Sequence, residues 1–463
     1  MTRIKLVDLE LPDFGVPREQ PELPRSLYDL RLQAFSSAVE KAGLNAAVIY
    51  ADREHSANFC YLTGFDPRFE ESLLIVAKGM RPVILTGPEN HSAALDAAID
   101  AEAILYPPFG LLGQDRSKTR PLREILRESG LGNGMRIGVI GWKYYGAAET
   151  ENPETWIEAP AFVVDVLRLV AGDVGAVVNA GRLMMDCTKG LRAFNEIEQL
   201  AFFEFSAAHA SEAVKRAIFG LRPGQTEFEL AAAIGLNGQP HCCHTMLASG
   251  ERAGGLKSPS GKIIRRGDRF SVAIGYWGSL TCRAGWVIEE ASELAAEASD
   301  YIDKLAAPYF ACAVEWYETI GIGVTGGAID ALVQRRLGSP FFNLLLNPGH
   351  LIHLDEWLNS PVYPGSNERL ASGQAVQCDI IPAVGGAYFT TNIEDGVALL
   401  DERGRQEFAE RYPSAWDRIE ARRAFMADTL GVRLKPEVLP FSNIPAYLPP
   451  FLLSPHRALV RTS

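Results

Sequence analysis

A mixed α+β protein built of two units is the fold class this sequence predicts, and three observations predict it. At 463 residues the chain exceeds what one hydrophobic core ordinarily serves, so two domains are the default. Short apolar runs alternate with helical periodicity through the first third, the pattern of an α/β unit. From residue 191 onward, long helical stretches are followed by strand-like segments that carry a histidine and separated carboxylates.

The elements follow in order. Residues 1–25 hold Pro12, Pro17, Pro21 and Pro24 among acidic neighbours and read as an extended arm. Apolar residues then recur at helical spacing over 27–42 and stop at Gly43. Ala46-Ala47-Val48-Ile49-Tyr50 is a strand, and residues 72–76 and 81–85 bracket Lys78-Gly79 as a hairpin. The alternation runs through Arg136-Ile137-Gly138-Val139-Ile140, which places the α/β unit at 26–185. The second unit, placed at 186–435, opens on a helical pattern over 191–219 that ends at Gly220 and the Pro223-Gly224 turn. Thr226-Glu227-Phe228-Glu229 is a capping box that starts the next helix. Strands are expected over 244–248 and 269–276, helices over 292–320 and 326–337, and sheet over 374–382 and 386–400. The tail, 436–463, is apolar and Pro-rich, so it should cover another surface rather than stand in water.

Composition excludes several classes of function. Hydrophobic residues make up 47% and charged ones 22%, as in soluble globular proteins. A formal net charge of −12 with no long basic run argues against nucleic acid or anionic membrane as a partner. No apolar run of signal-peptide or membrane-helix length is present, so a cytoplasmic protein is expected. Seven irregularly spaced cysteines do not make a disulfide framework. His241-Cys242-Cys243-His244 invites a metal reading, but on a strand adjacent side chains face opposite ways, so a buried strand with small sulfur side chains is preferred.

The chemistry concentrates late in the chain. Gly349-His350, Cys378-Asp379 and Asn392-Ile393-Glu394-Asp395 supply the residue types of a divalent-metal or acid–base site. His350 suits proton transfer near neutral pH, and Asp379 with Glu394 would form a close acidic pair of which one member titrates high. His353, three residues after His350, points the other way on a strand, which favours a structural role over a substrate contact.

Together the segments resemble the creatinase / aminopeptidase P / methionine aminopeptidase superfamily. The resemblance rests on residues 58–65 (Asn-Phe-Cys-Tyr-Leu-Thr-Gly-Phe), on Asn195 to Leu200 and Leu221 to Glu227, and on Gly349-His350, Gly373 with Asp379, and Ile393-Glu394-Asp395. It implies a pita-bread catalytic domain preceded by an α/β creatinase-type N-terminal domain. By position, His350, Asp379 and Glu394 match three of the five ligands that bridge two ions in the metallopeptidases, with one Glu shortened to Asp. The remaining pair, two Asp eleven residues apart after Gly267-Asp268, falls on Ala273 and Ala284, and a methyl group cannot ligate. The catalytic histidine of creatinase falls on Leu256, and a further substrate histidine falls on Trp357. Glu71, with Arg68 as the alternative, lies where creatinase-type chains place a substrate-binding Arg.

The expected function is therefore a metal-independent hydrolase of a C–N bond in a small polar metabolite. Its catalytic residues would be His350, Asp379 and Glu394, and its substrate contacts Trp286, Trp357, His353, Tyr276, Glu71 and Arg68. The aromatic residues suit an organic cation or else fill volume vacated by metals. No cofactor is expected, a single weak divalent ion at His350, Asp379 and Glu394 being left open. The alternatives are an Xaa-Pro peptidase with a reduced metal site and a non-catalytic pita-bread binding protein. The resemblance further implies a homodimer acting on a small-molecule substrate, with no nucleic-acid or membrane partner.

Overall fold

β1 (Arg3–Asp8) opens the chain, and its partner is the last strand rather than a neighbour in sequence. The computed structural model describes residues 3–462, and these divide into two compact units, 3–22 with 194–462, and 23–193. The segments set apart in the sequence as arm and tail thus both belong to the second unit.

The 23–193 unit is built on a six-stranded sheet of β2 (Ala46–Ala51), β3 (Ser72–Ala77), β4 (Val83–Thr86), β5 (Glu102–Leu105), β6 (Ile137–Ile140) and β7 (Val177–Asn179), in the order β5-β4-β3-β2-β6-β7. β2 is buried at every position, consistent with its continuous apolar run. β3 and β4 form the hairpin expected around Lys78-Gly79, while β2, β6 and β7 run parallel, and the helix Ala161–Ala171 lies in the connection from β6 to β7.

In the other unit a seven-stranded antiparallel sheet forms from β8 (Met246–Ser249), β9 (Arg269–Tyr276), β10 (Ser279–Trp286), β11 (His350–Leu351), β12 (Ala375–Asp379), β13 (Asn392–Leu399) and β14 (Val438–Pro440). Its path is β11-β12-β13-β10-β9-β8, with β14 added along β13. The helices Ile197–Gly220 and Ala307–Thr319 are buried along much of their length and supply core side chains such as Phe203, Tyr309 and Trp316. Thr226 and Glu229 form the expected capping box. The helix expected over 292–320 is regular only from Ala307 to Thr319; short 3₁₀ turns and a π turn precede it.

Two further expectations change. The tail does cover a surface, but within its own unit: Val438, Leu439, Phe441, Ile444, Tyr447, Leu448, Phe451 and Leu452 are all at most 2% exposed. β15 (Arg457–Thr462) then pairs with β1 over six residues. The tail therefore offers no apolar face to a second chain. The 241–244 segment is not a strand; it makes one isolated bridge, between His241 and Tyr276, and is only partly buried. Strand alternation therefore does not apply there. Both Cys242 and Cys243 bring their sulfur over Gly275, to 2.5 and 3.1 Å from where a Cβ would stand. All seven cysteines are free thiols.

Candidate active site

The sheet register assembles the site. Across β8, β9, β10, β13 and β12, Met246, Ala273, Cys282, Glu394 and Asp379 stand opposite one another in a single row. Directly opposed residues project to the same face, so this row presents a thioether, a methyl, a thiol and two carboxyl groups side by side. Two positions along β12, Gln377 faces His350 of β11, which puts the imidazole on the same face and diagonal to Asp379. His350 Nε2 lies 3.9 Å from Asp379 Oδ2, and ligand-type atoms of His350, Asp379 and Glu394 all lie within 4.8 Å of one another. Ala284 occupies the next row, opposite Ser271 and Asn392, whose amide nitrogen donates to Cys282 Sγ at 3.0 Å.

Local backbone geometry fixes the histidine. Gly349 has φ +147°, and a Cβ there would meet the Gln377 carbonyl at 3.1 Å and the Trp316 ring at 3.2 Å. Trp316 Nε1 donates to the Pro348 carbonyl at 2.7 Å and pins the turn that delivers His350. Beyond β11 the chain folds back on itself: the Leu351 N–H donates to Asn359 O at 2.7 Å and the Leu358 N–H to Leu351 O at 2.9 Å. That closure carries two side chains over the imidazole. Trp357 stacks on His350 with centroids 4.1 Å apart and planes 17° apart. Glu356 brings Oε1 to 3.3 Å from His350 Nε2, an ion-pair contact.

The electrostatics follow from burial and proximity. His350 is completely buried, which by itself favours the neutral ring, but Glu356 and then Asp379 outweigh this and hold its pKa above the ordinary value. Its Nδ1 faces the Leu351 carbonyl at 3.2 Å, the arrangement of a donor N–H. Burial pushes Asp379 up to about 6, with Glu356 adding to the rise and His350 opposing it. Burial, then the negative charge of Asp379, drives Glu394 well above the carboxylate range. The surroundings thus favour the charged form of His350 and the protonated form of Glu394, while Asp379 titrates at about 6. Burial also raises the Cys282 thiol, with Glu394 adding to the effect, so that sulfur stays protonated.

Of the residues expected in the site, the structure brings together His350, Asp379, Glu394 and Trp357. Tyr276 projects to the opposite face of β9 from Ala273 and packs its ring against His241, centroids 5.0 Å apart. Trp286 shares the site's face but stands four residues beyond Cys282 along β10, about 13 Å away at strand rise. His353 is buried edge-on against Phe203, centroids 5.2 Å apart. Glu71 accepts from the Tyr50 hydroxyl at 2.7 Å, and Arg68 pairs with Asp66 at 3.0 Å, both within the 23–193 unit. Glu356 and Cys282 were absent from the expectation. Glu356 reaches His350 only through loop closure, and Cys282 enters through register, two residues before the position matched to a lost Asp.

A metal centre can be tested against these donors. An ion about 2.1 Å from each ligand needs donors no more than about 4.2 Å apart; His350 and Asp379, at 3.9 Å, meet this, and with all three groups within 4.8 Å of one another a small side-chain adjustment would let them hold one divalent ion. A second ion does not fit, because the adjoining positions of the face supply the Ala273 and Ala284 methyl groups and a protonated thiol.

Comparison with known proteins agrees with this architecture. The Creatinase/Prolidase N-terminal domain family matches residues 31–169. No curated protein matches the sequence. Among solved structures, dipeptidase PepE from Mycobacterium ulcerans is 19% identical with a TM-score of 0.61, covering 82% of this chain and 95% of its own. The prolidase from Pyrococcus horikoshii OT3 is 16% identical with a TM-score of 0.61, over 80% of this chain and 95% of its own. The recombinant prolidase from Thermococcus sibiricus is 19% identical with a TM-score of 0.62, over 81% and 95%. At such identities the likeness is one of fold. Residues 31–169 thus match the creatinase/prolidase N-terminal domain, and the chain as a whole shares its fold with these dipeptidase and prolidase structures.

Proposed function

We propose that this protein is a metal-independent hydrolase that cleaves a C–N bond, of amide or amidine type, in a small polar substrate. The observation that carries the reading is the completely buried His350 imidazole, held charged between the Trp357 ring and the carboxylates of Glu356 and Asp379. Ionised Asp379 takes a proton from water as the water oxygen bonds to the acyl or amidine carbon. Protonated Glu394 donates to the oxygen or nitrogen on which negative charge develops. His350 Nε2 releases its proton to the leaving nitrogen as the C–N bond breaks. As the double bond to carbon re-forms, that oxygen or nitrogen returns its proton to Glu394, and transfer of the proton from Asp379 to His350 resets the remaining pair, so the net change adds OH to carbon and H to nitrogen. The working form is taken to be a homodimer, which light scattering checks.

The test is hydrolysis by chelator-treated protein of a panel of N-acyl amino acids, Xaa-Pro dipeptides and guanidino or amidino compounds, with products read by mass spectrometry. Turnover that persists in chelator and is lost in His350→Ala and Asp379→Asn supports the proposal. Turnover that needs one stoichiometric divalent ion overturns it in favour of a second reading.

That second reading is an Xaa-Pro dipeptidase with a single ion, and the mutual 4.8 Å spacing of His350, Asp379 and Glu394 favours it. A bound ion there would supply Lewis acidity toward a carbonyl or a water. The proteins named as dipeptidases and prolidases among the structural neighbours support peptide-like amides as the first substrates to try.

A further inference from the structure

A cavity of about 440 Å³ opens in the 194–462 unit away from the His350 cluster, with Arg269, Trp286, Gly250, Asp268, Glu293 and Ala387 among the residues that line it. Its volume lies within the range of small-ligand pockets, and none of His350, Glu356, Asp379 and Glu394 lines it. Trp286 and Phe389 meet edge to face, centroids 6.0 Å apart and planes at 81°, and make an aromatic corner. The Arg269 guanidinium sits over both rings, 5.8 Å from the Trp286 centroid and 5.6 Å from that of Phe389.

The charges around the corner decide the sign of a ligand. Asp268 is paired with Lys262 at 2.6 Å, and Glu293 shares Arg266 with Glu289, at 2.6 and 3.0 Å, so each of the two lining acids has a cation beside it. Glu251 is exposed at the rim, where water screens it. Arg269 makes no ion pair among the described residues, and its only hydrogen bond there goes to the Gly386 carbonyl. One of its five donors is used. Trp286 is 8% exposed, and its indole N–H is buried without an acceptor. A cationic ligand would meet ring faces already held by a guanidinium. A flat anion meets the free donors of Arg269 and the ring of Trp286.

We infer that this cavity is a second binding site, for a carboxylate carried on a flat aromatic frame. Arg269 engages the carboxylate and Trp286 packs against the ring, with Phe389 held edge to face against Trp286. The site stands whether or not the His350 cluster is catalytic.

The experiment titrates 2-naphthoate into full-length protein carrying isotope-labelled tryptophan and follows the indole N–H resonances, that of Trp286 being identified by its loss in Trp286→Phe. Saturable movement of the Trp286 resonance is expected. Arg269→Met should weaken binding about tenfold or more, the loss of a charge-assisted hydrogen bond. Neutral 2-naphthamide should also bind at least about tenfold more weakly, since it leaves the guanidinium without a counter-charge. An unmoved Trp286 resonance at saturating naphthoate overturns the proposal. So does equal affinity for naphthoate and naphthamide, or equal affinity in Arg269→Met, because either marks a merely apolar crevice. Should Trp286→Phe not fold, calorimetric titration of Arg269→Met and Arg269→Lys against wild type decides, with partial retention expected only in Arg269→Lys.

Discussion

What folds over His350 favours its charged form. Burial alone would lower the pKa of an imidazole, and Glu356 reverses the sign. Glu356→Gln should therefore drop the His350 pKa below that of wild type, since burial then faces only Asp379; histidine NMR titration reads this directly, and an unchanged midpoint would show that Glu356 is immaterial. A second consequence concerns stability. Asp379 rises from 3.8 to about 6 on folding, so the folded state binds that proton more tightly than the unfolded chain. The stability this confers is fully present below about pH 3.8 and is lost as pH climbs through 6, by on the order of 3 kcal/mol. His350, raised in the fold, acts in the same direction: its contribution is complete below 6.5 and disappears as pH rises through its folded value. Metal-free Asp379→Asn should accordingly gain stability over wild type at pH 8 and lose that advantage toward pH 4, as measured by urea unfolding at both values. A difference that does not vary with pH would refute the assignment. At this scale the sequence was informative about residue type: His350, Asp379 and Glu394 stood out as the chemistry-bearing residues. Glu356 did not, because nothing local distinguishes it from an exposed acid in a loop.

Strands deliver these groups, and their register is the element-scale fact. Gly349 is the hinge of the arrangement, at a φ that an L side chain rarely adopts and with backbone in the way of a Cβ. Gly349→Ala should cost about 1–3 kcal/mol and displace His350, seen as a lower Tm and a shifted His350 resonance. Wild-type Tm in that variant would remove the argument. The same register explains why restoring lost carboxylates is not simple. Asp at positions 273 and 284 would add two anions to a buried face that already holds Asp379, Glu394 and the nearby Glu356. The double variant Ala273→Asp with Ala284→Asp should lose stability in chelator by several kcal/mol and recover it only with a divalent ion. Thermal shift with and without manganese checks this, and no ion-dependent recovery would mean that the face cannot accept the old geometry. Pleat direction also separates the aromatic residues, sending Tyr276 to the other face while Trp286 lines a cavity of its own.

At the scale of the whole molecule, the ends of the chain meet. β1 and β15 pair over six residues, Asn443 Nδ2 donates to Gly15 O at 3.0 Å, and His209 Nε2 contacts Pro17 O at 2.9 Å. The first 22 residues and the tail therefore stabilise the 194–462 unit. Removing residues 1–9 deletes that ladder, and at about 0.5–1 kcal/mol per hydrogen bond it should lower stability by roughly 3 kcal/mol or more. Calorimetry of the truncated chain would show a lower Tm, and an unaltered unfolding transition would show that the closure is incidental. No helix among the described residues is long and apolar enough to cross a membrane.

By itself the sequence determined the hydrophobic periodicities, hence the two-unit α+β build, the β3–β4 hairpin and the capping box. It also determined which ligand-type residues survive and which have become alanine. These are local properties, set by side-chain type and spacing of a few residues. Tertiary structure alone decided the rest: that Glu356 and Trp357 fold over His350, that Cys282 stands opposite Ala273 and Glu394, and that the apolar tail is buried at home. Each depends on contacts between residues far apart in the chain, or on a loop closing back on its own strand, and no short-range pattern encodes either.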